Sequence, residues 1–99
     1  MIKELTFTQE GNNYTTSFKA EKRELAIYIK VDPEGKRAVV ELFTSIDNTD
    51  FAFRDFLIDD LEDMSIVTRE IGISGIIRGQ YIKIVSNSPV LKCKILYED

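Results

Sequence analysis

Cys93 is the side chain best suited to covalent chemistry, because a thiolate is a strong nucleophile. Forming that thiolate needs a neighbouring base, and the sequence contains one cysteine and no histidine. Leu91, Ile95 and Tyr97 alternate with Cys93, a spacing that favours a strand face turned towards the core. The sequence therefore predicts a buried, unreactive cysteine that forms no disulfide within the chain.

The other residue types offer little to a catalytic mechanism. Without histidine, the Ser-His and Cys-His arrangements that activate nucleophiles cannot form, and the commonest ligand of transition metals is missing. The glycines in residues 72–75 are not followed by the lysine that a phosphate-binding loop requires. A pair of carboxylates could act on a glycoside, but such enzymes need a deep cleft in a larger scaffold. We therefore expect no catalytic residue, no cofactor and no enzymatic activity.

Carboxylates are concentrated in residues 47–50 and 55–63, and their oxygens are the ligands that Ca²⁺ prefers. The spacing does not match an EF-hand loop, because no glycine stands at the required turn. The alternative is a solvated acidic segment that keeps the domain soluble, and we favour it. If calcium binds, the candidate ligands are Asp47, Asp50, Asp59 and Asp60.

Two sets of apolar and aromatic residues could form a binding surface. Three tyrosines are candidates for a surface that binds carbohydrate or another small ligand, although the chain has no tryptophan, the richest residue of such platforms. Dense apolar residues in 51–58 and 71–77 would form a protein interface if they were exposed, whereas the core could equally absorb them. The tyrosines are Tyr14, Tyr28 and Tyr81, and the interface candidates are Phe51, Phe53, Phe56, Ile73 and Ile76.

The balance of charge and hydropathy argues against two classes of partner. The chain has 13 basic and 17 acidic residues, for a net charge of −4, whereas binding to nucleic acid depends on clustered Lys and Arg. No apolar run approaches the ~20 residues that cross a bilayer. The N-terminal residues show no signal-peptide pattern. We expect a cytoplasmic or virion-associated protein that binds neither nucleic acid nor membrane.

The elements that must position these residues follow from period-two alternation, which is typical of strands. Residues 24–46 form the clearest predicted hairpin, around the turn at Asp32-Pro33-Glu34-Gly35. Hairpins are also predicted over 2–19 and 80–97, and a strand over 65–71. The side chains predicted to face inwards are Leu25, Ile27, Ile29, Val31, Ala38, Val40, Leu42, Ile46, Leu91, Cys93, Ile95 and Tyr97.

Residues 51–64 fit two structures. The spacing of Phe53, Phe56, Leu57 and Leu61 fits a helix, while Phe51 and Phe53 alternate as in a strand. We favour a strand followed by an acidic loop, and a short helix is the alternative. The whole chain, residues 1–99, is predicted to be one all-β domain, an antiparallel, jelly-roll-like β-sandwich of about seven or eight strands.

The C-terminal third carries a resemblance to a known class of protein. Residues 79–86, GQYIKIVS, followed by Pro89 and a closing strand, resemble the final hairpin of small β-sandwich proteins from phage and prophage structural gene clusters of gut bacteria. Jelly-roll binding modules have similar hairpins, and residues 27–29 and 44–47 fit the same layout. The resemblance implies a virion-associated role, such as capsid decoration or tail assembly, and assigns no functional residue.

Two functions remain open at this point. The first is a structural or assembly module that docks onto a protein partner or forms a homo-oligomer. The alternative is a β-sandwich module that binds a carbohydrate or another small ligand.

Overall fold

The computed structural model describes residues 1–60 and 65–97, with the side chain of residue 60 left out. Within these residues the chain forms two antiparallel sheets, which confirms the predicted all-β sandwich. None of the described residues belongs to a helix that could cross a membrane. The strands are β1 (Ile2–Glu4), β2 (Thr8–Glu10), β3 (Asn13–Lys19), β4 (Leu25–Val31), β5 (Ala38–Ser45), β6 (Ala52–Asp60), β7 (Val67–Ile73), β8 (Tyr81–Ser86) and β9 (Val90–Tyr97).

The two sheets are built from strands that alternate along the chain. One sheet has four strands in the order β1-β9-β4-β7, and the other has five in the order β2-β3-β8-β5-β6. The chain crosses between the sheets after β1, β3, β4, β6, β7 and β8. Among the described strands, β2–β3 and β5–β6 are the consecutive pairs that lie side by side as hairpins.

The predicted hairpins over residues 24–46 and 80–97 are therefore wrong, although their strands form. Strand β4 pairs with β7 and β9, while β5 pairs with β6 and β8 in the opposite sheet. Likewise β8 and β9 lie in different sheets, and only residues 8–19 of the predicted 2–19 unit form a hairpin. Alternation reveals which face of a strand is buried, but it does not reveal the neighbouring strand, because a hairpin and a crossing bury the same side chains.

The ambiguous residues 51–64 adopt the strand alternative as far as they are described. Strand β6 runs over Ala52–Asp60, so the helical alternative is wrong for these residues, and the acidic loop predicted after them lies outside the described residues at 61–64. The pairing of β6 with β5 shifts register twice, between Val40 and Glu41 and between Leu42 and Phe43. Each shift is a β-bulge, which inserts an extra residue into one strand and bends it.

The core lies between the sheets and confirms most of the predicted inward faces. Leu25, Ile27, Ile29 and Val31 of β4 are all buried. Two predicted members are exposed instead: Ile46, at 82%, follows the end of β5, and Leu91, at 52%, stands at a bulge. Because Lys30 pairs with Lys92 and Val31 with Val90, Leu91 is the extra residue of that bulge and leaves the buried face.

Candidate docking surface

The outer face of the five-stranded sheet carries a cluster of phenylalanine rings. Phe43 on β5 lies directly opposite Phe53 on β6, and their ring centroids are 5.8 Å apart in an edge-to-face arrangement. The bulge that follows brings Phe56 beside Glu41, which faces outwards, and sets the Phe53 and Phe56 centroids 5.0 Å apart. Phe51 immediately precedes β6, and its ring lies next to the ammonium group of Lys83, which neighbours Phe43. We call Phe43, Phe51, Phe53 and Phe56 the phenylalanine face.

The rings of the phenylalanine face are partly open to solvent. Phe53 is 49% exposed and Phe56 is 43% exposed, whereas Phe43 and Phe51 are half-buried. Edge-to-face contacts hold the rings of Phe43, Phe53 and Phe56 next to one another, so their exposed carbon forms one patch rather than scattered side chains. Aromatic patches of this kind on a protein surface mark interaction sites.

Charged and polar side chains border the phenylalanine face. Lys83 on β8 pairs across the sheet with Phe43, and its Nζ lies 5.6 Å from the Phe51 ring centroid. Glu41 on β5 pairs with Phe56 on one side and with Val85 on the other. Beyond them, strand β3 contributes Thr15 and Ser17 to the same outer face, because they pair with Val85 and Lys83. An apolar centre with a polar rim is the usual anatomy of a protein interface.

Strand β6 is an edge strand, and several features oppose the addition of another strand to it. Its two bulges interrupt regular pairing, and the side chain of Arg54 donates a hydrogen bond to the carbonyl oxygen of Ser74 in the loop after β7. Asp59 forms an ion pair with Arg37, which immediately precedes the neighbouring strand β5. The phenylalanine face is therefore suited to docking through its side chains rather than through its backbone.

The structure separates the interface candidates that the sequence suggested. It brings Phe51, Phe53 and Phe56 together on the phenylalanine face. Ile73 and Ile76 lie in the core, with exposed fractions of 7% and 0%, so they cannot belong to a surface in this fold. Sequence reasoning missed Phe43, although the alternation of β5 carried the signal, since Phe43 falls on the side opposite Val40 and Leu42.

The three candidate tyrosines do not form a common surface. Tyr81 lies on the outer face of the five-stranded sheet, where the Nζ of Lys19 is 5.7 Å from its ring centroid. Tyr28 lies on the outer face of the four-stranded sheet. Tyr14 pairs with the buried Ser86 and so lies on the inward side of β3, at the border of the core. No flat aromatic platform arises from these three rings.

Tyr28 nevertheless borders a shallow groove on the four-stranded sheet. A depression of about 160 Å³ lies beside Tyr28, Lys94 and Leu96, and it adjoins a second depression lined by Ala26 and Gly72. Ala26 and Gly72 are paired across the sheet, so two small residues form the floor. The Nζ of Lys94 lies 4.9 Å from the Tyr28 ring centroid, which places a cation over the face of that ring.

Two of the carboxylates proposed as calcium ligands, Asp47 and Asp59, have other partners, and Asp50 takes part through its backbone N–H. The Asp47 Oδ1 accepts hydrogen bonds from the Ser45 hydroxyl at 2.9 Å and from the backbone N–H groups of Thr49 and Asp50 at 2.9 and 3.0 Å. These bonds, that of Asp50 first, lower the pKa of Asp47 because they stabilise the ionised form. Asp59 is paired with Arg37, and the side chain of Asp60 lies outside the described part. In that part, no three Asp, Glu or Cys side chains are grouped to hold a metal ion.

Cys93 occupies the core, as the sequence predicts. Its side chain is 2% exposed, and burial raises the pKa of the thiol to about 12. The thiol therefore stays protonated at neutral pH and packs as a small apolar group.

Comparison with known proteins finds remote structural likenesses among solved structures and no family. No family model matches this chain, and no curated protein matches it. Among solved structures, a family GH115 4-O-methyl-α-glucuronidase with specificity for decorated arabinogalactans is similar over 96% of this chain, at 14% identity and a TM-score of 0.45. This chain spans only 14% of the length of that enzyme.

Proposed function

We propose that this chain is a non-enzymatic structural module that docks another protein chain onto the phenylalanine face. The observation that carries the proposal is the contact between Phe43, Phe53 and Phe56 on an outer sheet face, with Phe53 and Phe56 more than two-fifths exposed. Covering these rings would remove apolar surface from water at about 25 cal/mol per Å². Phenylalanine is enriched at protein interfaces relative to the rest of the surface.

The phenylalanine face is separate from the interior that holds the fold together. The buried residues come from both sheets, whereas the four rings lie outside the five-stranded sheet. Exposed Phe in place of a polar residue favours aggregation in a free monomer, so a partner that covers the rings explains their presence. The resemblance of residues 79–86 to phage structural proteins supports a virion-associated setting, as capsid decoration or a tail component.

Site-specific photo-crosslinking in the native cell tests this proposal. A photoreactive amino acid is placed at Phe53 or Phe56, and as matched controls at Ile46 or Ile77, which are 82% and 67% exposed. We expect discrete protein adducts from positions 53 and 56 and few from the control positions. Equal yields at all four positions, or no adduct at any, would overturn the proposal. Mass spectrometry identifies the adducts, and capsid or tail proteins among them would support the virion-associated setting.

A second candidate function is the binding of a small ligand or carbohydrate, and the groove beside Tyr28 favours it. Its floor of small residues leaves room above the sheet, and Tyr28 adds an aromatic wall. Lys94 and Glu70 supply polar groups at one end of the groove. A saccharide stacking on the Tyr28 ring would have to displace the Lys94 ammonium, which makes this function the weaker of the two.

Filling the groove tests this second function without damage to the fold. A Cβ added at Gly72 would meet no atom within 4 Å, so Gly72→Leu places a side chain in the groove without a clash at its base. On a glycan array we expect any ligand of the wild-type protein to be lost by this variant and retained by Thr68→Leu, which alters the same face of β7 outside the groove. An array without hits, or hits that Gly72→Leu retains, would eliminate the groove as a carbohydrate site.

A further inference from the structure

We infer that the occupant of the phenylalanine face is a second copy of this chain, packed face to face in a two-fold symmetric dimer. The inference rests on the proposed docking function and specifies its partner. Three features carry it: the extent of the sheet face on which the rings lie, the obstruction of the sheet edges, and the arrangement of Lys83 and Glu41 around the rings.

The outer face of the five-stranded sheet, on which the phenylalanine face lies, is large enough for a stable dimer. The molecule measures 37 × 27 × 21 Å, and in a two-sheet sandwich the shortest dimension runs through both sheets. A sheet face is thus about 37 by 27 Å, or roughly 1,000 Å², compared with the roughly 800 Å² that each partner buries in a standard interface.

The edges of both sheets are poorly suited to strand pairing between copies. Strands β1 and β2 are edge strands of three residues each. Strand β6 is interrupted by two bulges. In β7, the exposed Arg69 pairs with Ile29, whose side chain is buried in the core, so Arg69 stands on the inward side of this edge strand. Short strands, bulges and inward-pointing charges at an edge all oppose edge-to-edge association. A second copy is therefore expected on a sheet face.

The two charges that border the phenylalanine face can pair with each other across a two-fold axis. Lys83 on β8 lies beside Phe43 on β5. Glu41 lies two residues from Phe43 along β5, beside Phe56. Consider a two-fold axis that lies in the plane of the interface and bisects the line from Lys83 to Glu41 at a right angle. Rotation about this axis places Lys83 of one copy over Glu41 of the other. Each Lys83 then meets Glu41 of the other copy, so the dimer gains two ion pairs and no repulsion at these positions.

The same axis gathers the phenylalanine rings at the centre of the dimer. With strands about 4.8 Å apart and about 3.4 Å per residue along them, the axis passes close to Phe43 and Phe53. Each of these rings therefore packs against its own counterpart, and the strands of the two facing sheets cross steeply. Aromatic residues at the centre with charges around them match the usual distribution of binding energy in interfaces.

Sedimentation velocity across a concentration series, combined with a charge exchange, tests the inference. We expect the wild-type protein to pass from monomer to dimer between about 1 and about 500 μM. Lys83→Glu and Glu41→Lys should each weaken the dimer by at least about tenfold, because each creates two like-charge contacts across the axis. The double variant should recover most of the wild-type affinity. Phe53→Ser should remain monomeric, while Lys92→Glu on the opposite sheet should dimerise like the wild type.

Other outcomes would overturn this dimer. A wild-type protein that stays monomeric, or single charge variants that associate as tightly as the wild type, would reject the second copy as occupant. A double variant without recovered affinity would reject the pairing of Lys83 with Glu41. Circular dichroism and thermal melting in the dilute, monomeric range confirm that each variant is folded. Crosslinks from positions 53 and 56 to a different protein would leave the docking function standing while removing the dimer.

Discussion

At the scale of single residues, the exposed Asn87 has a structural role, because its side chain forms hydrogen bonds with the backbone of Val39 and Arg37. Its side-chain oxygen accepts a hydrogen bond from the Val39 N–H at 2.9 Å, and its side-chain nitrogen donates to the Arg37 carbonyl oxygen at 2.7 Å. Its backbone N–H donates to the Val39 carbonyl oxygen at 3.0 Å. One amide side chain therefore continues the pairing of β5 and β8 past the point where β8 ends.

Replacing Asn87 with alanine removes the side-chain hydrogen bonds to Val39 in β5 and to Arg37 just before it, together with the one accepted from the Ser88 hydroxyl. We expect Asn87→Ala to lower the free energy of unfolding by about 1–3 kcal/mol, since two backbone groups lose their partners. Urea denaturation measures the change. Asn12→Ala is the matched control, because the exposed Asn12 side chain forms no hydrogen bond within the described residues, and it should change stability by less than about 0.5 kcal/mol. Equal effects of the two substitutions would contradict this role.

Asp47 gives stability a specific dependence on pH. Its pKa is lowered in the folded state, so its ionisation stabilises the fold above the unfolded pKa of about 3.9 and this contribution is lost as the pH falls through the lower, folded value. Asp47→Asn should therefore have a lower melting temperature than the wild type at neutral pH. The difference should shrink below about pH 4, where the wild-type carboxylate also becomes protonated. A difference that stays constant from neutral to acidic pH would contradict the charge dependence.

At the scale of elements, two glycines close to each other in sequence should respond in opposite directions to alanine. Gly75 has a φ of +76°, and a Cβ there would lie 3.3 Å from Nη2 of Arg54, the side chain that reaches across from β6. Gly72 lies in β7 with ordinary strand backbone and open space where a Cβ would go. We expect Gly75→Ala to lower the free energy of unfolding by about 1–2 kcal/mol and Gly72→Ala to leave it unchanged or raise it by up to about 1 kcal/mol. Thermal or urea denaturation of the two variants decides, and equal losses would contradict the assignment.

The sequence predicts the individual strands better than it predicts their partners. The alternation in β4, with Leu25 and Ile27 inward and Tyr28 outward, is local and is fully realised. The hairpin predicted over residues 24–46 fails because the turn at residues 32–35 leads into the opposite sheet, which is a property of the whole topology. The prediction that Leu91 faces inwards fails because a bulge displaces this residue, and no residue type around it indicates that bulge.

The candidate site was predictable in part for the same reason. Phe51, Phe53 and Phe56 lie near one another in sequence, so composition alone drew attention to them. Their grouping with Phe43 and Lys83 depends on β5 lying between β6 and β8, which only the sheet order provides. Ile73 and Ile76 resemble these phenylalanines in hydrophobicity, and the packing of the core alone separates them.

At the scale of the whole molecule, the strand order makes folding dependent on distant contacts. Apart from the two hairpins, the paired strands of the described residues are far apart in sequence: β1 pairs with β9, β3 with β8, and β4 with both β7 and β9. Closing such long loops costs chain entropy before the contacts repay it. We expect refolding from urea in milliseconds to seconds, the range of β-sandwiches, rather than the microseconds of helical bundles. Stopped-flow fluorescence of the tyrosines measures the rate, and a sub-millisecond refolding phase of full amplitude would contradict it.

The pairing of the first and last described strands also determines how the molecule responds to a pulling force. Strands β1 and β9 are antiparallel neighbours, with Ile2 opposite Leu96 and the Tyr97 N–H donating to the Met1 carbonyl oxygen at 3.3 Å. Tension applied between residues 1 and 97 would act at one end of this antiparallel pair. Its hydrogen bonds would therefore break one after another rather than all together. The sandwich is therefore mechanically weak along this direction.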